Sequence, residues 1–328
     1  MNSKDKTFRT TFPIQYNGQK ISLNSNLLSI GSCFSDNIGE KLTYYKFKAE
    51  INPFGVIFNP LSAFKLIRIA AGLEKLKTNL FTEVEGIHRH FDFHSDLSAA
   101  NEETLHNKIN NQVRKVGRAI GSTNFLILTF GTAFVFRLNK KNEIVANCHK
   151  IPQKEFTQEL LTVEQIVSGF KEIYHLFPSY TQVILTVSPV RHTRNGIPEN
   201  NLSKSILRLA CHQLEQQFQN VSYFPSYELL LDDLRDYRFF ASDMVHPSEM
   251  AIDYIWERFV ESCFEEGAKL FMPKWDKIRK ALSHRPFNPE TLAHQKFLQN
   301  TLTKLKQVTE VNVEEEIADL EAYINSFQ

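Results

Sequence analysis

Two short stretches carry side chains whose chemistry could cooperate. Near the start, Gly31-Ser32-Cys33-Phe34 ends the apolar run Leu27 to Ile30 and leads into Ile38, Leu42 and Tyr45 at helical spacing. A thiol at such a turn projects from the carboxyl end of a buried strand, where open α/β sheets place their ligands. It also meets a helix N-terminus, whose partial positive charge favours a thiolate or a developing oxyanion. Late in the chain, Asp243-Met244-Val245-His246-Pro247 sets an Asp three residues before a His. Such an Asp can accept the imidazole Nδ1 proton and leave Nε2 free to take a proton from a nucleophile. Cys33 as nucleophile, His246 as base and Asp243 as orienting group would form an acyl-transfer site. Ser32 would support the turn or take part directly. Gly31 is read as the residue whose permissive backbone allows the bend, and Pro247 as a residue of the first turn of the next helix.

These groups need a scaffold that brings strand ends together. Residues 1–26 read as an irregular or weakly stranded lead-in. KAEINPFGVIFNP, residues 48–60, reads as a strand ending in a loop around Gly55, and residues 61–80 as a helix carrying Phe64, Ile67, Ile69 and Leu73. HRHFDFH alternates as extended chain does, and a polar helix spans roughly 101–119. The continuous apolar run 125–130 suits a central parallel strand covered on both faces. Gly131-Thr132 breaks it, and RLNKKNEIVANCHK suits a hairpin. Further helices are expected at 162–177, 202–218 and 248–264, with strands at 182–190 and 221–230. This alternation predicts a three-layer α/β/α sandwich with a mostly parallel sheet over residues 1–283. A helical extension, 284–328, carries Val313, Ile317, Leu320 and Ile324 at heptad-like spacing. Packing on the parent domain is the simpler use of that stripe; a homo-oligomer formed through it is the alternative.

With 42% hydrophobic residues in 328, the chain can bury a substantial core. A net charge of +1 gives no reason to invoke nucleic acid or an anionic membrane. No apolar run approaches the ~18 residues of a membrane span, and the start, MNSKDKTFRTTFPIQ, has no apolar signal-peptide core. Cys33, Cys148, Cys211 and Cys263 are too dispersed for a CxxC pair or a disulfide framework, so free thiols in a cytoplasmic protein are expected.

Other candidates carry bland readings of similar weight. Arg191 and His192 follow a strand and could bind an anionic substrate group or a coenzyme A phosphate, or form a loop salt bridge. Asn147 and His149 in NCHK are further site candidates. His88, His90 and His94 with Asp92 invite a metal reading because His-x-His on a strand can face one way. No other ligand set supports it, and no metal is expected. Phe91-Asp92-Phe93-His94 could instead line a cleft.

In combination, GSCFS, the Gly55 loop, FGTA, NCHK, SPVRH and LRDYRFFASDMVHPS resemble the GSCFA family over roughly residues 8–290. That family looks like a divergent branch of the SGNH, or GDSL-like, hydrolases. The resemblance implies a flavodoxin-like sandwich and ester hydrolase or acyltransferase activity, with an acylated carbohydrate or other small-molecule ester as substrate. It implies no resident cofactor; acyl-coenzyme A would be an acyl donor. Aligned with the Gly-Asp-Ser block of SGNH enzymes, Cys33 stands at the nucleophile, whereas a register one residue different places Ser32 there. A Gly-Asn-Cys turn in some capsule-biosynthesis acetyltransferases is similar. Gly55 matches the glycine whose amide joins the oxyanion hole. Gly131-Thr132-Ala133 matches the third block's glycine but lacks its Asn, so Thr132, Asn147 or His149 would have to replace that donor.

Overall fold

In the computed structural model, which describes residues 9–326, Asn26–Gly31 forms β1 and Cys33–Tyr44 forms α1, with Ser32 alone between them. Then follow β2 (Lys48–Ile51), α2 (Pro60–Ala70), the hairpin β3 (Phe81–Val84) and β4 (Ile87–His90), α3 (Glu102–Ile120) and β5 (Phe125–Phe130). Next come β6 (Phe134–Leu138), β7 (Glu143–Val145), β8 (Phe156–Leu160), α4 (Val163–Tyr174), β9 (Gln182–Val187), α5 (Ile197–Gln217) and β10 (Val221–Tyr223). A single helical turn, α6 (Ser226–Glu228), precedes α7 (Glu249–Cys263), α8 (Glu266–Leu282), α9 (Leu292–Lys306) and α10 (Glu314–Asn325).

Five strands make one sheet in the order β2-β1-β5-β9-β10, every pair parallel. Counted along the chain this is the order 2-1-3-4-5, in which the direction of winding reverses between β1 and β5. The crevice at the carboxyl ends of those two strands is where such sheets bind ligands. The strands are apolar throughout because helices cover both faces. Leu28, Ile30, Leu126, Leu128, Val183 and Leu185 pack towards α2 to α5. Leu27, Phe125, Ile127 and Ile184 point the other way, towards α1 and α7. This is the α/β/α sandwich that the alternation of elements predicts. The antiparallel set β7-β6-β8 and the β3-β4 hairpin form separate small sheets, with the expected hairpin at β6 and β7.

Several boundaries differ from the sequence reading. The strand expected at 221–230 stops at Tyr223, since Pro225 follows and the chain coils through α6 into a widened turn over Leu229–Asp233. Leu229 and Leu230 are both buried, which adjacent residues of a helical turn achieve without alternation. The helix expected to reach residue 80 ends at Ala70 and is followed by Gly72 with φ +78°; Leu73 lies exposed. Helix α5 starts earlier than expected, at Ile197, with Pro198 in its first turn. Pro247 stands before the helix rather than in it, because Ser248 is the cap of α7 and accepts from the Ala251 amide.

Residues 9–25 of the lead-in are largely irregular, tied to the domain by a bridge between Ile21 and Phe264; residues 1–8 of that reading lie outside the described residues. The C-terminal helices have a core of their own, in which Phe271, Trp275 and Ile278 of α8 meet Leu298, Leu302 and Leu305 of α9. Val313, Leu320 and Ile324 of the heptad-like stripe are buried in this cluster and Ile317 packs against it. The stripe thus turns inward. Among the described residues, no helix is long and apolar enough to cross a membrane.

Candidate active site

Strand β1 delivers its last residue, Gly31, into close contact with β5. A Cβ at Gly31 would run into the Thr129 backbone, so the position needs a glycine for space; its φ is not positive, and the bend itself makes no special demand. Ser32 is fully buried, with no hydrogen-bond partner for Oγ. Cys33 is the first residue of α1 and is half-buried. Of the two candidate nucleophiles, Cys33 is therefore the one that solvent and substrate can reach.

Asn52 locks this turn. Its Oδ1 accepts from Gly31 N at 2.8 Å and its Nδ2 donates to Asp36 Oδ1 at 2.6 Å, joining the end of β1 to the first turn of α1. Asp36 thereby stands beside Cys33. Burial, the largest effect, and the Asp36 charge push the thiol above its ordinary value. The amides of Cys33 and Phe34 and the Lys204 ammonium pull the other way. The helix N-terminus does favour the thiolate, as expected, but desolvation outweighs it and the resting sulfur is a thiol.

The second half of the site is the loop after the sheet's last strand. Asp243 Oδ1 accepts from Val245 N and His246 N, each at 2.9 Å, while Oδ2 accepts from His246 Nδ1 at 2.6 Å. A carboxylate can only accept, so the proton sits on Nδ1 and Nε2 is left as the basic nitrogen. The amides of His246 and Val245, then the imidazole, hold the Asp243 carboxyl down to about 2. Arg191 fastens this loop: its amide donates to Val245 O at 3.2 Å and its guanidinium lies 4.0 Å from the Phe240 ring centroid. It makes no salt bridge among the described residues.

Gly131 is the meeting point of the two halves. A Cβ there would lie 3.3 Å from Ser32 Cβ, 3.2 Å from His192 Nε2 and 3.1 Å from Phe58 O. Phe58 O accepts from both Gly131 N and Thr132 N, at 2.8 and 3.0 Å, so neither amide faces a substrate. His192 Nε2 is buried without a partner, and burial lowers the imidazole to about 4, keeping it neutral. The charges of Lys204 and His246 act on it in the same direction, which sets His192 between the thiol turn and the Asp243–His246 dyad. No hydrogen bond joins Cys33 directly to His246 among the described residues.

The expected oxyanion donors are otherwise engaged. Gly55 has the left-handed φ of +74° that its loop requires, but its amide donates to Asn52 O at 2.7 Å. Thr132 Oγ1 accepts from Phe134 N at 3.1 Å and pairs with Ser203 Oγ at 3.1 Å, facing α5 rather than the turn. In NCHK, His149 Nε2 donates to His90 O at 2.9 Å and Nδ1 faces Ser95 Oγ at 3.3 Å; Asn147 accepts from His149 N at 2.9 Å. Those contacts staple the loop after β4 to the segment after β7, and Asn147 Nδ2 reaches Ser95 Oγ at 3.5 Å.

The His-x-His set disperses in the same way. His90 is fully buried, donating from Nε2 to Lys77 O at 3.1 Å and accepting from Asp92 N at Nδ1. His88 lies 3.7 Å from Glu83, and His94 lies 3.0 Å from Asp96 and against Gly55. Phe91 and Phe93 are core rather than cleft, and Asp92 pairs with Lys65 at 2.8 Å.

Lys204 was not among the sequence candidates. It is 2% exposed, and its Nζ donates to Gly131 O at 2.8 Å and to Ser188 O at 2.7 Å, bridging the ends of β5 and β9. A signal was available: Lys204 shares the buried face of α5 with Leu207, Cys211 and Leu214, where a cation is out of place.

The order of strands and the thiol at the switch point define a doubly wound, flavodoxin-like α/β protein with a strand-to-helix cysteine site. The chain belongs to the GSCFA family: the model of that family matches residues 26–259, and the model of the GSCFA domain protein C-terminal domain matches residues 275–326. No match was found among curated proteins.

Proposed function

We propose that this protein transfers or hydrolyses acyl esters through a covalent intermediate on Cys33. The observation that carries the reading is one accessible thiol on the first residue of α1, at the sheet's switch point, with an Asp-oriented imidazole on the loop after the last strand. His246 Nε2 takes the thiol proton as the sulfur attacks the acyl carbon. The alcohol leaves with that proton, giving a thioester. Water or an acceptor hydroxyl then attacks, its proton passing to His246 while the carbon–sulfur bond breaks. No hydrogen bond joins thiol and imidazole among the described residues, and on this reading it forms when the substrate binds, since catalytic hydrogen bonds often tighten only in the complex. An O-acylated carbohydrate is the substrate class proposed, with acyl-coenzyme A as a donor, in the cytoplasm.

The test is incubation with p-nitrophenyl acetate, acetyl-coenzyme A and acetylated oligosaccharides, followed by peptide mass analysis. Acetyl adducts on the Cys33 peptide, absent in Cys33→Ala and formed more slowly in His246→Ala, support the reading. Turnover that survives Cys33→Ala removes it.

A second reading rests on a specific observation: the raised thiol together with the occupied amides of Gly55, Gly131 and Thr132. A protein that keeps the cleft and binds an acylated ligand without turnover would show ligand binding by calorimetry, with the ligand recovered intact and Cys33 unmodified.

A further inference from the structure

The buried cation at the ends of β5 and β9 has a position that its hydrogen bonds alone do not explain. Lysine is almost never fully buried unless paired with a counter-charge, and Lys204 makes no salt bridge among the described residues. Its two hydrogen bonds go to main-chain carbonyls, one of them that of Gly131. An ammonium has three donors, and no third acceptor is found for it among the described residues. Around Gly131 stand two more buried polar atoms without partners, Ser32 Oγ and His192 Nε2. Three incomplete polar groups stand around Gly131, and one of them, Ser32, immediately precedes the half-exposed thiol of Cys33 in the chain.

We propose that Lys204 is the charge partner of Cys33: its ammonium, fixed by Gly131 O and Ser188 O, supplies from beneath the turn the positive field that stabilises the Cys33 thiolate. Its catalytic meaning rests on the acyl-transfer reading; the coupling itself does not. Lys204 acts through Cys33 and is a positioning residue in this sense.

The groups that face this pair are few. Asp36 on α1 opposes the thiolate, His192 after β9 stays neutral, and the Tyr227 ring of α6 lies 5.7 Å from Lys204 Nζ. Burial lowers Lys204 to about 7, and Cys33 is the one group that raises it. The two titrations are therefore linked. Lys204 carries its charge below about pH 7 and loses it above, while the thiol loses its proton only at higher pH.

The experiment is site-resolved alkylation of Cys33 with iodoacetamide in the full chain, followed by peptide mass analysis from pH 5.5 to 9.5. The wild-type rate is expected to exceed that of Lys204→Met several-fold at pH 6, where Lys204 is charged. The ratio falls towards one by pH 9, as Lys204 in the wild type becomes neutral. A purely structural role would give a ratio independent of pH, and that result overturns the proposal. Should Lys204→Met fail to fold, the deciding variant is Lys204→Gln, which keeps a donor for Gly131 O without the charge: Cys33 alkylation equal to wild type at pH 6 in that variant overturns the proposal. Coupling without ester turnover would leave Lys204 as the charge partner and remove the acyl-transfer reading. Turnover through Cys33 without coupling would do the reverse.

Discussion

Asp243 holds His246 with one carboxylate oxygen and the backbone of the same turn with the other: Oδ2 takes the imidazole Nδ1 proton at 2.6 Å, and Oδ1 takes the amides of Val245 and His246 at 2.9 Å. The turn and the tautomer are thus fixed by one side chain. Met244 adopts φ +58° within it, a left-handed conformation that those amide bonds help to hold. Asp243→Asn keeps one acceptor for the turn but loses the tautomer. Ester turnover should fall by about 10²–10⁴, the upper figure being the cost of the equivalent change in a serine protease triad, while thermal stability stays close to wild type.

The same carboxyl sets an acid limit. Its folded value of about 2 lies below the ordinary 3.8, so the order it brings to residues 243–246 is fully present above about pH 4. It is lost as pH falls through 2. Carboxyl titration by NMR should show the Asp243 inflection near 2, with the His246 ring signals moving together with it.

Asp36 works against the thiolate while it secures the turn. Asp36→Asn keeps an oxygen for Asn52 Nδ2 and removes the charge. Alkylation of Cys33 at pH 7 to 8 should quicken several-fold, since the Asp36 charge holds the thiol up, with little change in melting temperature. A slower reaction would mean that Asp36 acts on Cys33 by geometry rather than by charge.

Gly31→Ala separates space from flexibility. The new methyl would collide with the Thr129 backbone of β5, which cannot move without disturbing the centre of the sheet. A loss of about 1–3 kcal/mol or more is expected, as for overpacked cores, measured by urea unfolding. A neutral result would show that β1 and β5 can separate locally.

Two buried histidines make stability depend on pH. Burial holds both His90 and His192 down to about 4. Between pH 4 and about 6.5 the unfolded chain therefore binds protons that the folded one refuses, and stability must rise with pH across that window. Each contributes on the order of 2–3 kcal/mol. His192→Gln should flatten part of the rise in a plot of melting temperature against pH.

The central sheet was legible because its strands are short apolar runs, and the thiol turn because Ile38 and Leu42 repeat at helical spacing straight after it. What the sequence hid were relations between distant segments. Gly31 invites a conformational explanation, whereas its reason is Thr129, nearly a hundred residues away. Gly55 and Asn147 have suitable chemistry as donors, yet local turns take up their polar groups. VSYFPSYELL alternates well enough to read as one strand, but Pro225 ends it and the leucines coil. Lys204 was visible only as a charge at an apolar register, and nothing local says that it reaches the carbonyls of Gly131 and Ser188.

The far end of α1 is anchored to the C-terminal helices. Trp275 Nε1 donates to Tyr44 O at 2.6 Å, Lys46 pairs with Glu316 at 2.5 Å, and Tyr45 donates to Asp276 at 3.2 Å. The 12-residue helix is about 18 Å long, and it joins the C-terminal helices at one end to the thiol turn, tied down by Asn52, at the other. One element thus spans both family segments, and the C-terminal helices share in fixing where Cys33 stands at the crevice.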